Sequence, residues 1–248
     1  MEVARGAVPG FSIVRKFGRN PSIDTTFAPV SLIGDYPTPQ ASGALPMRVK
    51  SGGNANDTAD GTGAREVTIE GLDDTGALAS EAVATAGASA SSATTTAFMR
   101  VFRSYVSASG FYGTSAQGSH AATITIENTA GVTYAEMSAT NFQRSQSQIG
   151  VYSVPLGYKA HVLGLTISVS STKAVDFVLM QRESILDLAP PYKAIRVNAE
   201  YTGVTDSFVQ DFREPYTFNE LTDVGYMARV ASSTADASVD FSILLEKT

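Results

Sequence analysis

Apolar residues alternate with polar ones along several stretches of the chain, and this period of two constrains the fold more than any other feature. In "SVDFSILLE", one face of an extended chain carries Val239, Phe241, Ile243 and Leu245. "KAHVLGLTISVS" places His161, Leu163, Leu165, Ile167 and Val169 on one face in the same way. Successive side chains of a β-strand point to opposite faces, so this pattern predicts half-buried strands. The chain is therefore expected to be all-β.

The strands are expected to form one or two β-sandwich, jelly-roll-like domains behind an extended N-terminal arm. Prolines recur through residues 1–45, and because proline has no backbone donor they favour an irregular, extended segment there. Residues 46–145 are predicted to form a β-sandwich domain. Residues 146–248 are predicted to form a second β-sandwich domain or the second half of the same sandwich.

One predicted strand, "AFMRVFRSYV", is apolar on both faces. Such a strand is either central in a sandwich or pressed against another subunit. A chain of 248 residues needs few doubly buried strands. We therefore predict that Met99, Val101 and Tyr105, which share one face, lie at or near a contact between subunits.

Composition limits the classes of partner. The formal net charge is -6 and no cluster of Lys and Arg is present, which argues against direct contact with a nucleic-acid backbone. The chain has no cysteine, which excludes disulfides and thiolate chemistry. No stretch approaches the roughly 20 apolar residues of a membrane helix, and no signal peptide is expected at the start. We expect neither a nucleic-acid partner nor a membrane partner.

The stretch "NANDTADGTGAREVTIEGLDDTG" has the glycines and acids of a binding loop. A phosphate loop requires a lysine after its last glycine and a helix behind it, and here a strand pattern follows. The spacing of an EF-hand also fails, because Arg65 stands where the bidentate glutamate would be when the loop is counted from Asn54. The stretch is interpreted as a loop, a strand and a turn. An irregular calcium site made by Asn56, Asp57 and Asp60 stays open as the alternative.

Few other residues suggest chemistry. His120 and His161 have no acid, serine or second ligand near them in sequence, and structural roles are favoured for both. Asp73 and Asp74 are adjacent in a predicted turn, where their carboxylates point apart. We assign no catalytic, cofactor-binding or metal-binding residue and expect no cofactor. Aromatic residues that stack on sugar rings are a further alternative, and core packing is the favoured use of these side chains.

Several phrases together resemble virion structural proteins of tailed bacteriophages, especially those of marine and cyanobacterial phages. They are "NPSID", "SGGNANDTADGTGAREVTIEGLD", "LASEAV", "FMRVFRSYV" and "VYSVPLGYKAHVLG". The shared pattern is a GTGAR-type loop, a strand ending in GLD and a later Y-x-VP-x-G hairpin. The resemblance implies a protein that assembles in the host cytoplasm and becomes part of the virion, which explains the lack of a signal peptide and of cysteine.

The leading hypothesis is a non-enzymatic capsid-exterior decoration or minor capsid protein that acts through contacts between subunits. Its partners would be other virion proteins of the capsid or tail and further copies of itself, and the resemblance favours a homotrimer. A tail or fibre-base component is one alternative. A carbohydrate-binding module for host attachment, with a glycan as its ligand, is another.

Overall fold

The computed structural model describes residues 2–3, 6–33, 43–113, 118–139, 145–170 and 172–248. The protein is all-β: these residues form fifteen strands and no α-helix. The chain divides into two compact units, and the second is inserted into the first in sequence. Unit 1 consists of residues 1–39 and 149–248, and unit 2 consists of residues 40–148.

Unit 1 contains nine of the strands. They are β1 (Phe11–Ile23), β2 (Ala28–Pro29), β9 (Val151–Ser153), β10 (Tyr158–Val169), β11 (Val175–Arg182), β12 (Arg196–Val204), β13 (Ser207–Phe218), β14 (Asp223–Val230) and β15 (Ala235–Lys247). One sheet has the order β1-β15-β10-β13, and the other has the order β12-β11-β14-β2, with β9 also paired to β14. All of these pairs are antiparallel. The sheets meet through Tyr226 and Phe241, whose rings lie edge to face at 5.2 Å, so unit 1 is a β-sandwich.

The alternation in β15 is confirmed, because Val239, Phe241, Ile243 and Leu245 are all buried between the sheets. The prediction for β10 is wrong at its start. The ladders on both sides of β10 shift register between Val162 and Gly164, and relative to β15 one extra residue is inserted in β10 as a β-bulge. Ala160 and Val162 therefore face the core, whereas His161 and Leu163 are only half-buried.

The prediction of an irregular N-terminal arm is wrong for residues 11–23. Phe11–Ile23 forms the thirteen-residue strand β1, which pairs along β15 from Phe11–Glu246 to Ile23–Ala235. Pro21 falls where this ladder becomes irregular, between Asn20 and Ile23, so its missing donor interrupts the strand only near its end. Ile23 is fully buried. The strand belongs to the sandwich of unit 1; residues 34–42 of the predicted arm lie outside the described residues.

Unit 2 is a single antiparallel sheet. Its strands are β3 (Leu45–Ser51), β4 (Ala64–Asp73), β5 (Leu78–Ala84), β6 (Ala97–Ser109), β7 (Ile124–Asn128) and β8 (Thr133–Met137), in the sheet order β5-β4-β6-β3-β7-β8. The hairpin predicted at "ENTAG" is confirmed, since β7 pairs with β8. β8 also packs against β6, so the sheet curls over its own core. The doubly apolar strand β6 lies between β4 and β3.

Candidate functional site

The glycine-rich loop of unit 2 is organised around one carboxylate. Asp57 is fully buried, and each of its two carboxylate oxygens accepts two hydrogen bonds. Oδ1 accepts from the N–H groups of Ala64 and Ala121, each at 2.8 Å. Oδ2 accepts from the hydroxyl of Ser51 at 2.6 Å and the N–H of Ala122 at 2.9 Å. The carboxylate thus joins the end of β3, the start of β4 and the segment before β7.

This arrangement decides what the loop can do chemically. An ionised carboxylate has about four lone-pair positions, and four donors already occupy those of Asp57. The alternative calcium site with Asn56, Asp57 and Asp60 therefore loses its central ligand. Among the described residues, no group of three or more His, Cys, Asp or Glu side chains is placed to hold a metal ion. The loop is a structural tie.

The glycines of the same loop are required by close approach. A Cβ atom on Gly63 would overlap the Asp57 carboxylate, and one on Gly61 would overlap the carbonyl oxygen of Asn56. The guanidinium of Arg65 donates to the Gly61 carbonyl at 2.8 Å, which closes the loop as the strand begins. The glycines that resemble a phosphate loop in sequence thus serve internal packing.

His120 lies beside this tie. Its ring is buried, and Nδ1 lies 3.1 Å from the carbonyl oxygen of Ala122, which identifies Nδ1 as the protonated nitrogen because a carbonyl can only accept. Nε2 is buried and has no hydrogen-bond partner within the described part of the chain. Burial lowers the pKa of His120, and the nearby Asp57 charge opposes this without reversing it. His120 is therefore held neutral.

His161 acquires partners that its neighbours in sequence do not provide. Its Nδ1 lies 2.9 Å from the hydroxyl of Thr217, and its Nε2 lies 3.0 Å from a carboxylate oxygen of Glu246. β10 is hydrogen-bonded between β13 and β15, so the three side chains meet on one face of the sheet. The order carboxylate, imidazole, hydroxyl is that of a nucleophile relay.

A hydrolytic relay also needs free donors aimed at an oxyanion. The backbone of His161 and of its neighbours Ala160 and Val162 is paired on both sides, with β13 and with β15. The arrangement is interpreted as a row of three polar side chains across neighbouring strands, in which Thr217 and Glu246 provide the hydrogen-bond partners of the His161 ring. Only the pairing of distant strands creates it, so no spacing in the sequence could have indicated it.

Of the adjacent acids Asp73 and Asp74, Asp73 forms hydrogen bonds within the turn that was predicted there. Asp73 Oδ1 accepts hydrogen bonds from the N–H of Thr75 at 2.9 Å, its hydroxyl at 2.7 Å and the N–H of Ala77 at 3.0 Å. Burial acts to raise the pKa of Asp73, but these hydrogen bonds outweigh it and lower the pKa. The carboxylate stabilises the turn between β4 and β5.

The three residues predicted at a subunit contact have different environments. Met99 is 3% exposed and Val101 is 2% exposed within a single chain. Tyr105 is half-buried, and the guanidinium of Arg103 lies 4.9 Å from its ring centre. Met99 and Val101 are thus buried within the chain itself, so the apolar character of β6 no longer supports an interface at these two residues.

One feature was not anticipated from the sequence: every residue from Asp187 to Thr217 is at least partly exposed, although the segment includes β12 and most of β13. Its apolar residues alternate as in a buried strand, so the periodicity alone gave no sign of the exposure.

The described chain also contains no helix long and apolar enough to cross a membrane.

Comparisons with known proteins add little to this description. No protein-family model matches the chain, and no curated protein matches it. Among solved structures, a chain from "Structure of infectious bursal disease virus Gt strain" is 9% identical with a TM-score of 0.28, over 96% of this chain and 74% of that one. A bacterial lipoprotein from Bacteroides thetaiotaomicron is 12% identical with a TM-score of 0.18, over 97% and 85%. The virus structure is thus a weak structural neighbour, and likeness at this level carries no argument about function.

Proposed function

We propose that this chain is a non-enzymatic structural protein of a tailed-phage virion, attached to the capsid exterior as a decoration or minor capsid protein. The observation that carries the proposal is the state of Asp57. The acid and glycine loop that most resembles a binding site has its carboxylate buried under four internal hydrogen bonds. The loop holds the strands of unit 2 in a fixed arrangement. A protein that acts through its surface requires such a rigid framework.

The resemblance to phage virion proteins supports the same conclusion. Its central phrase, "NANDTADGTGAR", contains Asp57, Gly61 and Gly63. These residues depend on one another through close packing. A resemblance that consists of residues packed against one another points to a similar fold. On this proposal the partners are other virion proteins and further copies of the chain, with a homotrimer favoured, and the protein assembles in the host cytoplasm.

A glycan-binding role in host attachment is a second candidate, favoured by one feature of unit 1. The outer face of the sheet β1-β15-β10-β13 has a depression of about 300 Å³ lined by Asp211, Asp240, Thr166 and Ser242, among others. Gly164 also lines it and lies between Asp211 and Ser242, its partners in the two ladders. Carboxylates and hydroxyls can hydrogen-bond sugar hydroxyls. Asp211→Ala should abolish glycan-array binding if the depression is used.

The test of the main proposal is the location of the chain in particles of the phage that encodes it. We expect mass spectrometry of purified virions to detect the chain, and gold-labelled antibodies against it to decorate intact capsids. Antibodies against the major capsid protein and a tail protein serve as position controls. Labelling confined to tails would support the tail or fibre-base alternative, and absence from purified virions would overturn the proposal.

A further inference from the structure

The segment from Asp187 to Thr217, here called the open edge, is a folded part of the protein without a core of its own. Every other strand of five or more residues contains several buried residues or, in β5, the one buried residue Val83. β12 contains none, and β13 contains only its last residue, Phe218. β12 and β13 belong to different sheets, and no side chain between positions 187 and 217 is buried. The two strands therefore leave an unusually large apolar surface in contact with water.

The composition of the open edge makes this exposure costly. Nine large hydrophobic residues are exposed in the described chain, and five of them lie here. They are Leu188, Tyr192, Ile195, Val197 and Val209. Aromatic residues add to the surface: Tyr201 and Phe208 lie 5.3 Å apart, Phe212 and Tyr216 lie 5.0 Å apart, and all four are half-buried. Exposed apolar patches of this kind mark interaction surfaces, and aromatic residues are enriched in them.

Both strands of the open edge lie at the edge of a sheet. β12 is the edge strand of one sheet of the sandwich, and β13 is the edge strand of the other. Each is hydrogen-bonded on one side only, so neither is covered by a following strand. Pro215 has no N–H, and the ladder of β13 with β10 is irregular beside Gly164. These features disfavour the addition of another strand, so a contact here would use side chains.

The charges of the open edge favour a second copy of the chain as its occupant. They include both signs: Lys193, Arg196 and Arg213 are basic, whereas Asp187, Glu200, Asp206, Asp211 and Glu214 are acidic. A surface of one sign would repel a copy of itself. Asp211 and Arg213 are both exposed and stand two residues apart, so Asp211 of one copy can lie opposite Arg213 of the next copy, as the contacts of a closed trimer require. The open edge thus has the basic and the acidic residues from which ion pairs between two copies can form.

We propose that the open edge is the contact through which copies of this chain associate. The inference rests on the proposed function, because it specifies where the contacts between subunits form. Its extent is suitable, since a standard interface takes about 20–30 residues from each partner, and residues 187–217 provide a segment of that size. The contact is an alternative to the interface predicted at Met99, Val101 and Tyr105, of which Met99 and Val101 are buried in the chain itself.

The first experiment compares charge substitutions at two pairs of sites. Val197→Asp and Val209→Asp alter open-edge residues that are 58% and 68% exposed. Leu78→Asp and Val132→Asp are matched controls in unit 2, at residues that are 52% and 51% exposed. Light scattering coupled to size exclusion, over a series of concentrations, gives the mass, and thermal unfolding monitors the fold.

We expect the wild type and both controls to be oligomers, with a mass at least twice the 26.0 kDa of one chain. The open-edge variants should remain folded and dissociate, with a dissociation constant raised about tenfold or more, because a charge must be desolvated at the contact. A wild type that stays monomeric at every concentration overturns the inference. Open-edge variants that are folded and keep the wild-type mass overturn it as well.

A second measurement covers variants that fail to fold. The chain has no cysteine, so Val209→Cys gives a single site for a spin label, and distances between labels report the contact directly. We expect a short distance between labels at position 209 and none between labels in Val132→Cys; the reverse result contradicts the inference. A chain that is absent from virions yet associates through the open edge would overturn the proposed function alone.

Discussion

Gly63 lies directly against the carboxylate of Asp57, and a Cβ atom at position 63 would overlap Oδ1. The two residues are interdependent: the carboxylate reaches the N–H of Ala64 because the preceding residue has no side chain in the way. A loop that resembles a ligand site is therefore shaped by the group it holds internally. Its glycines and its acid serve one structural purpose.

Asp57→Ala should destabilise unit 2. The substitution leaves the hydroxyl of Ser51 and three backbone N–H groups without their acceptor, at a cost of about 1–3 kcal/mol for each buried donor left unpaired. We expect a total loss of about 3 kcal/mol or more in the free energy of unfolding, measured by urea denaturation. Asp60→Ala, at an exposed position in the same loop, is the control and should change stability little. Equal effects of the two substitutions would contradict the role given to Asp57.

Calcium should not stabilise the protein. Both oxygens of Asp57 are occupied by internal donors, so binding a cation would require breaking hydrogen bonds that the fold uses. We expect the melting temperature to be the same in millimolar calcium and in chelator. A rise of several degrees in calcium, lost in Asp60→Ala, would show that the loop does bind the ion.

The sequence was informative where structure is local. The alternation in β15 predicted four buried side chains, and the acids of the β4–β5 turn were assigned to a turn. It was uninformative where a strand changes register, because the bulge before Gly164 exchanges the faces of β10 without altering the apolar pattern.

Long-range pairing was equally hidden. His161 meets Glu246 and Thr217 only because β10 lies between two strands that are distant in sequence. The environment of β1 was missed for a related reason. Proline content indicated an irregular segment, whereas pairing with β15 fixes Phe11–Ile23 as a strand. Tertiary contacts outweigh local preference in such cases.

Acidification should weaken unit 2 through His120. Burial lowers the pKa of His120 in the folded state below the value of about 6.5 in the unfolded chain. The unfolded state therefore binds more protons as the pH falls through 6.5, and stability decreases from there downward. In His120→Gln the free energy of unfolding should depend less on pH in that window. Identical pH profiles of the two proteins would contradict the prediction.

Removing β1 should disrupt unit 1, in contrast to the behaviour expected of a flexible arm. Deletion of residues 11–23 removes the buried Ile23 and leaves β15 unpaired along one edge. We expect the loss of a cooperative unfolding transition for unit 1, detected by calorimetry. Deletion of residues 1–9, which precede the strand, is the control and should leave the transition in place. A cooperative transition that survives loss of the strand would restore the arm interpretation.

Aspartate substitutions on β6 separate core from surface. Val101 is 2% exposed, and Val101→Asp should cost about 3 kcal/mol or more because it places an unpaired charge among apolar side chains. Tyr105→Asp should be milder, since Tyr105 is half-buried and loses chiefly its contact with the Arg103 guanidinium, worth about 0.5–1 kcal/mol. Melting curves recorded together with mass by light scattering check both. If Val101→Asp instead gave a folded monomer from an oligomeric wild type, the contact between copies would lie at β6, and β12 and β13 would be left without a partner.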